Sequence, residues 1–173
     1  MKNTKVEKNT VKIPYVFVES YLDNLDYNYF KKKIDDGIVD PNSESFKTNV
    51  IGRMTPYHYF NNDKKFLETL FPIMDYMDFN LNPLDYHLKN SWGLREGWGD
   101  YTVYHKHATV YFSGVIYLND HNSNLYFPEL KKKVPIKKGK LVLFSSFLTH
   151  GTKRNIIKDL KYAIAFNFNY KNL

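Results

Sequence analysis

Residues 100–120, DYTVYHKHATVYFSGVIYLND, alternate polar and apolar side chains, set two histidines one residue apart, and run into an apolar segment closed by Asn-Asp. Alternation of this kind marks β-strands, in which successive side chains leave on opposite faces. The stretch predicts a strand with His105 and His107 on one face, then a second strand over FSGVIYLN. The same period continues on both sides. DYHLKNSW (85–92) precedes it, and NLYF (124–127), KVPI (133–136), KLVLFSS (140–146), THGTK (149–153) and KYAIAFNFNY (161–170) follow, separated mainly by Gly, Pro, Asn and Asp. Eight short strands at this spacing predict a mainly β protein with flanking helices, its core a barrel or sandwich of the jelly-roll kind.

Before residue 84 the period lengthens. In ESYLDNLDYNYFKKKIDD (19–36), Tyr21, Leu22, Leu25, Tyr29 and Phe30 recur every three to four residues, which predicts an amphipathic helix. NNDKKFLETLFPIMDYM (61–77) predicts another, capped somewhere in Asn61–Asp63 and kinked or interrupted at Pro72. Between them, residues 40–60 read as loop with room for a short strand. The expectation is one domain over 1–173, with a helical and loop layer (1–84) packed outside a β core (85–173).

Composition narrows the chemistry. With 13 Phe, 15 Tyr and 43% apolar residues, the chain can bury a core without staples. It has no cysteine, so disulfides, thiolate ligands and a Cys nucleophile are excluded, and any metal must be held by His, Asp, Glu or water. The polar start MKNTKVEKNT has no apolar core of a signal peptide, and no run approaches the roughly 18 apolar residues of a membrane span. A soluble, cytoplasmic protein is expected. The net charge of +7 comes largely from Lys31–Lys33, Lys131–Lys133 and Lys137–Lys138. These clusters read as solvated surface and leave binding of an acidic partner or nucleic acid open.

The last strand shows two distinct faces. Tyr162, Ile164, Phe166 and Phe168 form one, suited to packing against helices. Lys161, Ala163, Ala165 and Asn167 form the other, suited to a cavity wall. An inward ammonium needs an anion, because burying it alone costs several kcal/mol or shifts its pKa. His105 and His107, two apart on a strand, can converge on one ion, although an HxH by itself is common.

Taken in order, HKHATVYFSGVIYL (105–118), PIKKGKLVLFSSFLTH (135–150) and KYAIAFN (161–167) resemble the iron(II)/2-oxoglutarate oxygenases, in particular the prolyl-hydroxylase-like branch. They are most similar to small bacterial and phage oxygenases that carry HxHPxxxxSGVYYL, P..G.L..FPS.L.H and R.S.SFN in the same order. The resemblance covers residues 91–169. It implies a double-stranded β-helix and a hydroxylase using Fe(II), 2-oxoglutarate and O2. It also implies His105 and His150 as metal ligands, with His107 standing where most relatives place an aspartate. Either the metal is held by His105, His107 and His150, or His107 lies behind the ligands and Asp100 or Glu129 supplies an oxygen. By the same resemblance Lys161 replaces the usual arginine that pairs with the far carboxylate of 2-oxoglutarate, as a point charge rather than a planar fork. Tyr117 or Tyr104 would hydrogen-bond the same carboxylate. Arg95, in the Gly-rich stretch GLREGWGD, is the candidate substrate contact. The branch implies hydroxylation of an amino-acid side chain in a peptide or protein; small-molecule and nucleic-acid substrates stay open.

Two other readings remain. Gly99 followed by His105 and His107, and Pro135–Gly139 followed by His150, also resemble the two motifs of cupins, metal enzymes that need no 2-oxoglutarate. The glutamate of the first cupin motif is missing, with Tyr111 and Phe112 in its place. The absent carboxylate equally allows a barrel that binds without catalysis.

Overall fold

The computed structural model describes residues 12–38, 49–80 and 86–170. Eleven strands and two helices occur among them: β1 (Phe17–Tyr21), α1 (Tyr27–Gly37), β2 (Val50–Ile51), β3 (Arg53–Met54), α2 (Lys64–Asn80), β4 (Tyr86–Glu96), β5 (Tyr101–Thr102), β6 (Phe112–Tyr117), β7 (Asn124–Phe127), β8 (Lys132–Pro135), β9 (Lys140–Ser145), β10 (Gly151–Thr152) and β11 (Lys161–Tyr170). A six-stranded antiparallel sheet in the order β1-β9-β6-β11-β4-β3 faces a second layer made of β10-β7-β8 and the pair β2-β5. A hydrogen bond from the Thr102 amide to the Thr152 side-chain Oγ1 (2.8 Å) ties β5 to β10. The result is a double-stranded β-helix.

The centre of the large sheet is buried on both faces, so β6 and β9 are buried at every residue and their burial does not alternate. On its outer face the helices dock: Phe30 and Ile34 of α1 and Phe66, Leu70, Ile73 and Met77 of α2 pack on Ile164, Phe166 and Phe168 of β11. Gly93 makes the approach of α1 possible, because a Cβ there would lie 2.3 Å from Cγ1 of Ile34, and Gly114 likewise makes room for the Phe166 ring of the neighbouring strand, whose Cζ would lie 2.3 Å from a Cβ at 114. On the inner face, Trp92, Leu94, Val115 and Ala163 meet Leu125, Phe127 and Val134 of the opposite layer. The faces of β11 thus divide as their alternation predicts.

Local chemistry sets the helix starts. Tyr29 N donates to Asp26 Oδ1 (3.1 Å) at α1, and Phe66 N donates to Asp63 Oδ1 (2.9 Å) at α2. Three expectations need correction. The predicted first helix starts too early: its first three residues belong to β1, where Phe17–Tyr21 pairs with Phe144–Lys140, and only Tyr27–Gly37 is helical. Pro72 does not interrupt α2, which continues to Asn80. Residues 103–111 are not a regular strand; they cross the open end of the fold as an irregular segment, held by single bonds such as His107 N to Ser146 O (2.9 Å). Residues 40–48 of the expected loop lie outside the described residues. No helix among the described residues is long and apolar enough to cross a membrane.

Candidate metal centre

His105 and His150 face each other through two backbone hydrogen bonds, His105 N to His150 O (3.0 Å) and His150 N to His105 O (2.9 Å). This bridge between the crossing segment and the start of β10 fixes both Cα positions. The rings are then turned by the carbonyls two residues upstream: His105 Nδ1 donates to Val103 O (2.7 Å) and His150 Nδ1 to Leu148 O (3.0 Å). With Nδ1 protonated, each Nε2 carries the lone pair. Carbonyls that orient imidazoles in this way are the usual outer partners of metal-bound histidines. His107, fixed through Ser146, brings a third ring, with centroid separations of 4.8 Å to His105 and 5.2 Å to His150.

The ligating nitrogens of the three residues lie within 4.8 Å of one another. Two nitrogens bound at about 2.1 Å to one ion are at most about 4.2 Å apart, so small ring rotations close the set. Burial favours the neutral, ligating form throughout. It lowers the pKa of His105. Burial, then repulsion from His105, brings His107 to about 4. Burial and the neighbouring histidines bring His150 to about 3, against the pull of the Leu148 carbonyl. An all-imidazole donor set suits iron, nickel, copper or zinc and fits poorly with calcium or magnesium. The residues therefore fit a transition metal, and among the described residues no other group of His, Asp or Glu converges this way. Asp100 and Glu129, the carboxylates considered from sequence, are not part of this convergent group. Asp100 Oδ2 accepts from Gly97 N (2.7 Å), and Glu129 Oε1 accepts from the hydroxyl and amide of Thr149.

The histidines open onto a cavity of about 250 Å³ between the layers. Its wall includes Lys161, Ala163, Ala165 and Asn167 of β11, as the alternation of that strand predicts, together with Tyr117 and Trp92. Lys161 is the single charged residue lining it among the described residues. This lysine is already paired: its Nζ lies 2.5 Å from Oε2 of Glu96, which stands directly opposite on β4, and the two residues are 3% and 2% exposed. Glu96 Oε1 accepts from Thr102 Oγ1 (2.8 Å). The Tyr117 hydroxyl is held protonated by burial and by the nearby Glu96 charge. At the other end, Ser113 Oγ donates to Asn167 Oδ1 and Asn167 Nδ2 to Asn90 Oδ1, both at 2.7 Å.

Two candidates are displaced. Arg95 is on β4, not in a turn, and leaves its outer face to meet Asp35 of α1 (2.6 Å), away from the cavity. Tyr104 is 44% exposed and does not line the cavity, because the irregular path at 103–111 turns it outward. Glu96 was missed because the predicted strand stopped at Trp92. Carrying the alternation of Trp92 and Leu94 two residues further places Glu96 inward.

No protein-family model matches the sequence, and no curated protein matches it. Solved structures do. The viral collagen prolyl hydroxylase vCPH from Paramecium bursaria Chlorella virus 1, in complex with 2OG, aligns over 89% of this chain and 94% of its own with a TM-score of 0.66 at 13% identity. HygX from Streptomyces hygroscopicus, with nickel, 2-oxoglutarate and hygromycin B bound, aligns over 91% and 84% with a TM-score of 0.62 at 14% identity. A Trichoplax adhaerens prolyl hydroxylase in complex with a hypoxia inducible factor peptide fragment aligns over 91% and 84% with a TM-score of 0.66 at 12% identity. At these identities the likeness is one of fold, and the fold is that of structures of the 2OG-Fe(II) oxygenase family.

Proposed function

We propose that this chain is an iron(II)- and 2-oxoglutarate-dependent dioxygenase that hydroxylates an amino-acid side chain of a peptide or protein. The observation that carries the reading is the convergence of His105, His107 and His150, the first and last with Nδ1 tied down and Nε2 free, on a cavity whose wall holds one lysine. When bound, the metal and 2-oxoglutarate supply the oxidising chemistry: one oxygen atom of O2 enters a C–H bond to give an alcohol, and the other leaves in succinate as CO2 is lost.

The residues of the chain do the positioning. Val103 and Leu148 carbonyls hold two imidazoles in the ligating tautomer. Lys161 supplies donors for a carboxylate, and the protonated Tyr117 hydroxyl can donate to the same group. Ala163 and Ala165 leave room between the layers, while Val115, Leu94 and Phe144 keep water from the reacting centre. The neighbours hold ligands of both kinds, a peptide fragment in one case and hygromycin B in another. The cavity volume favours the peptide: about 250 Å³ lies below the roughly 300–1,000 Å³ of pockets that enclose drug-sized ligands, so a side chain entering from outside fits better than a whole second metabolite.

The test is anaerobic titration of the apo-protein with iron(II) and then 2-oxoglutarate, followed by the visible charge-transfer absorption of the chelate. Absorption that requires both additions and is lost in Lys161→Ala is the expected result. A second reading, a metal enzyme that does not use 2-oxoglutarate, draws on the all-histidine ligand set and on the engagement of Lys161 by Glu96. Iron binding with no response to 2-oxoglutarate would favour it, and no metal binding at all would leave a binding module.

A further inference from the structure

Glu96 has no counterpart in the site residues expected from sequence, yet among the described residues it is one of the most deeply buried carboxylates and touches the one lysine or arginine that lines the cavity. Resting on the oxygenase reading, we infer that Glu96 is the charge-balancing residue of this site, doing from the far end of the cavity what an aspartate ligand would do at the metal.

The argument is a count of formal charges. Three neutral histidines leave a divalent metal with its full charge of two. Lys161 adds one and Glu96 removes one, so the prepared site carries two positive charges and a dianionic 2-oxo acid cancels them. In the commoner arrangement of two histidines and one carboxylate, the ligand removes one charge and the basic residue restores it, and the same dianion again gives zero. His107 at the aspartate position and Glu96 behind Lys161 are therefore two halves of one exchange. Without Glu96, a three-histidine site with a buried lysine would hold an uncompensated charge even when filled.

The local geometry supports a role toward the ligand. Glu96 Oε2 engages Lys161 from behind, and Oε1 is taken by Thr102, so the carboxylate is fixed and does not itself line the cavity. An ammonium has three donors, and one salt bridge leaves others available on the cavity side. Glu96 thus positions the lysine and trims its field in one contact.

The two substitutions should be coupled, with a sign that a purely structural role does not produce. In His107→Asp the filled site becomes negative by one, and its affinity for 2-oxoglutarate, measured anaerobically on the iron(II)-loaded protein by charge-transfer absorption, should fall at least tenfold. Adding Glu96→Gln to that variant should restore affinity to within about threefold of wild type. If Glu96 merely anchors Lys161, the second substitution weakens binding further, and the inference is overturned. It is also overturned if His107→Asp alone binds 2-oxoglutarate as wild type does, an outcome readable even where the double variant does not fold. If wild-type protein binds iron but not 2-oxoglutarate, the oxygenase reading fails first; if wild type binds both and the coupling is absent, the inference alone fails.

Discussion

Lys161→Met separates what the buried pair contributes to stability from what it contributes to binding. The substitution keeps the aliphatic stem and deletes the ammonium, leaving Glu96 with Thr102 Oγ1 as its remaining side-chain partner. Both residues are almost fully buried, so water cannot replace the lost partner at low cost. Removing one member of a buried pair costs about 3–5 kcal/mol, whereas replacing both by apolar groups of similar volume is often neutral or stabilising. For a chain of this length each kcal/mol moves the melting temperature by about 2–4 °C. Lys161→Met should therefore lower the melting temperature of the metal-free protein by about 6–20 °C. Glu96→Leu/Lys161→Met should recover at least about 2 kcal/mol of that loss, since the apolar pair carries no stranded charge. Urea denaturation of the metal-free proteins, followed by far-UV circular dichroism, measures both. The double variant should then be stable and unable to bind 2-oxoglutarate, showing that the pair is kept for the ligand rather than for the fold. A loss below about 1 kcal/mol for Lys161→Met, or a double variant as unstable as the single, would refute the reasoning.

Other outcomes can be checked with the same material. Iron(II), or nickel(II) as a redox-silent substitute, at about one hundred times its dissociation constant should stabilise the protein by about 2.7 kcal/mol, raising the melting temperature by about 5–11 °C. The shift should vanish in His105→Ala and His150→Ala and persist in Lys161→Met. Gly114→Ala places a methyl against Phe166 in a filled core and should cost about 1–3 kcal/mol in urea denaturation. Burial opposes the Asp63 charge, but hydrogen bonds from Lys33, Tyr29 and the Phe66 amide outweigh it and hold the carboxyl below its ordinary range. Because that pKa is depressed on folding, its stabilisation is present above about pH 4 and is lost as pH falls below it. Asp63→Asn should cost about 1–3 kcal/mol at pH 7, and in a pH series of melts the gap to wild type should narrow in acid.

Much of this was legible in the residues because alternation is a local property. KYAIAFNFNY gives a strand of ten residues, its helix-facing side and its cavity side without reference to anything distant, and the structure agrees on all three. The three converging histidines were legible as a candidate site only because several motifs occur in order, since an HxH alone has no power to choose between ligand and surface. Failures cluster where a partner decides. ESYLDNL has apolar spacing compatible with a helix, and it is the exposed backbone of β9 that draws Phe17–Tyr21 into a strand. His105 and His107 converge although their segment is irregular, because bonds to residues 150 and 146 replace the pleat that the alternation implied. Glu96 and Lys161 are 65 positions apart, and only the register of β4 against β11 places them face to face. Arg95 looked like a mouth residue until one residue of register sent it to the helix side.

The pairing of β1 with β9 has a further meaning. β9 is wholly buried, and its side away from β6 is covered by five residues that are themselves half-buried or exposed. The cover is held by backbone hydrogen bonds and by Glu19, which reaches Lys132 (2.8 Å) and Lys140 (3.2 Å). An open strand of this composition would be an unprotected sheet edge, a template for pairing with another chain. The short segment ahead of the first helix thus replaces a wholly buried edge strand with one whose side chains are partly exposed. A chain that lost it would keep its three histidines and present β9 as the open edge of the sheet.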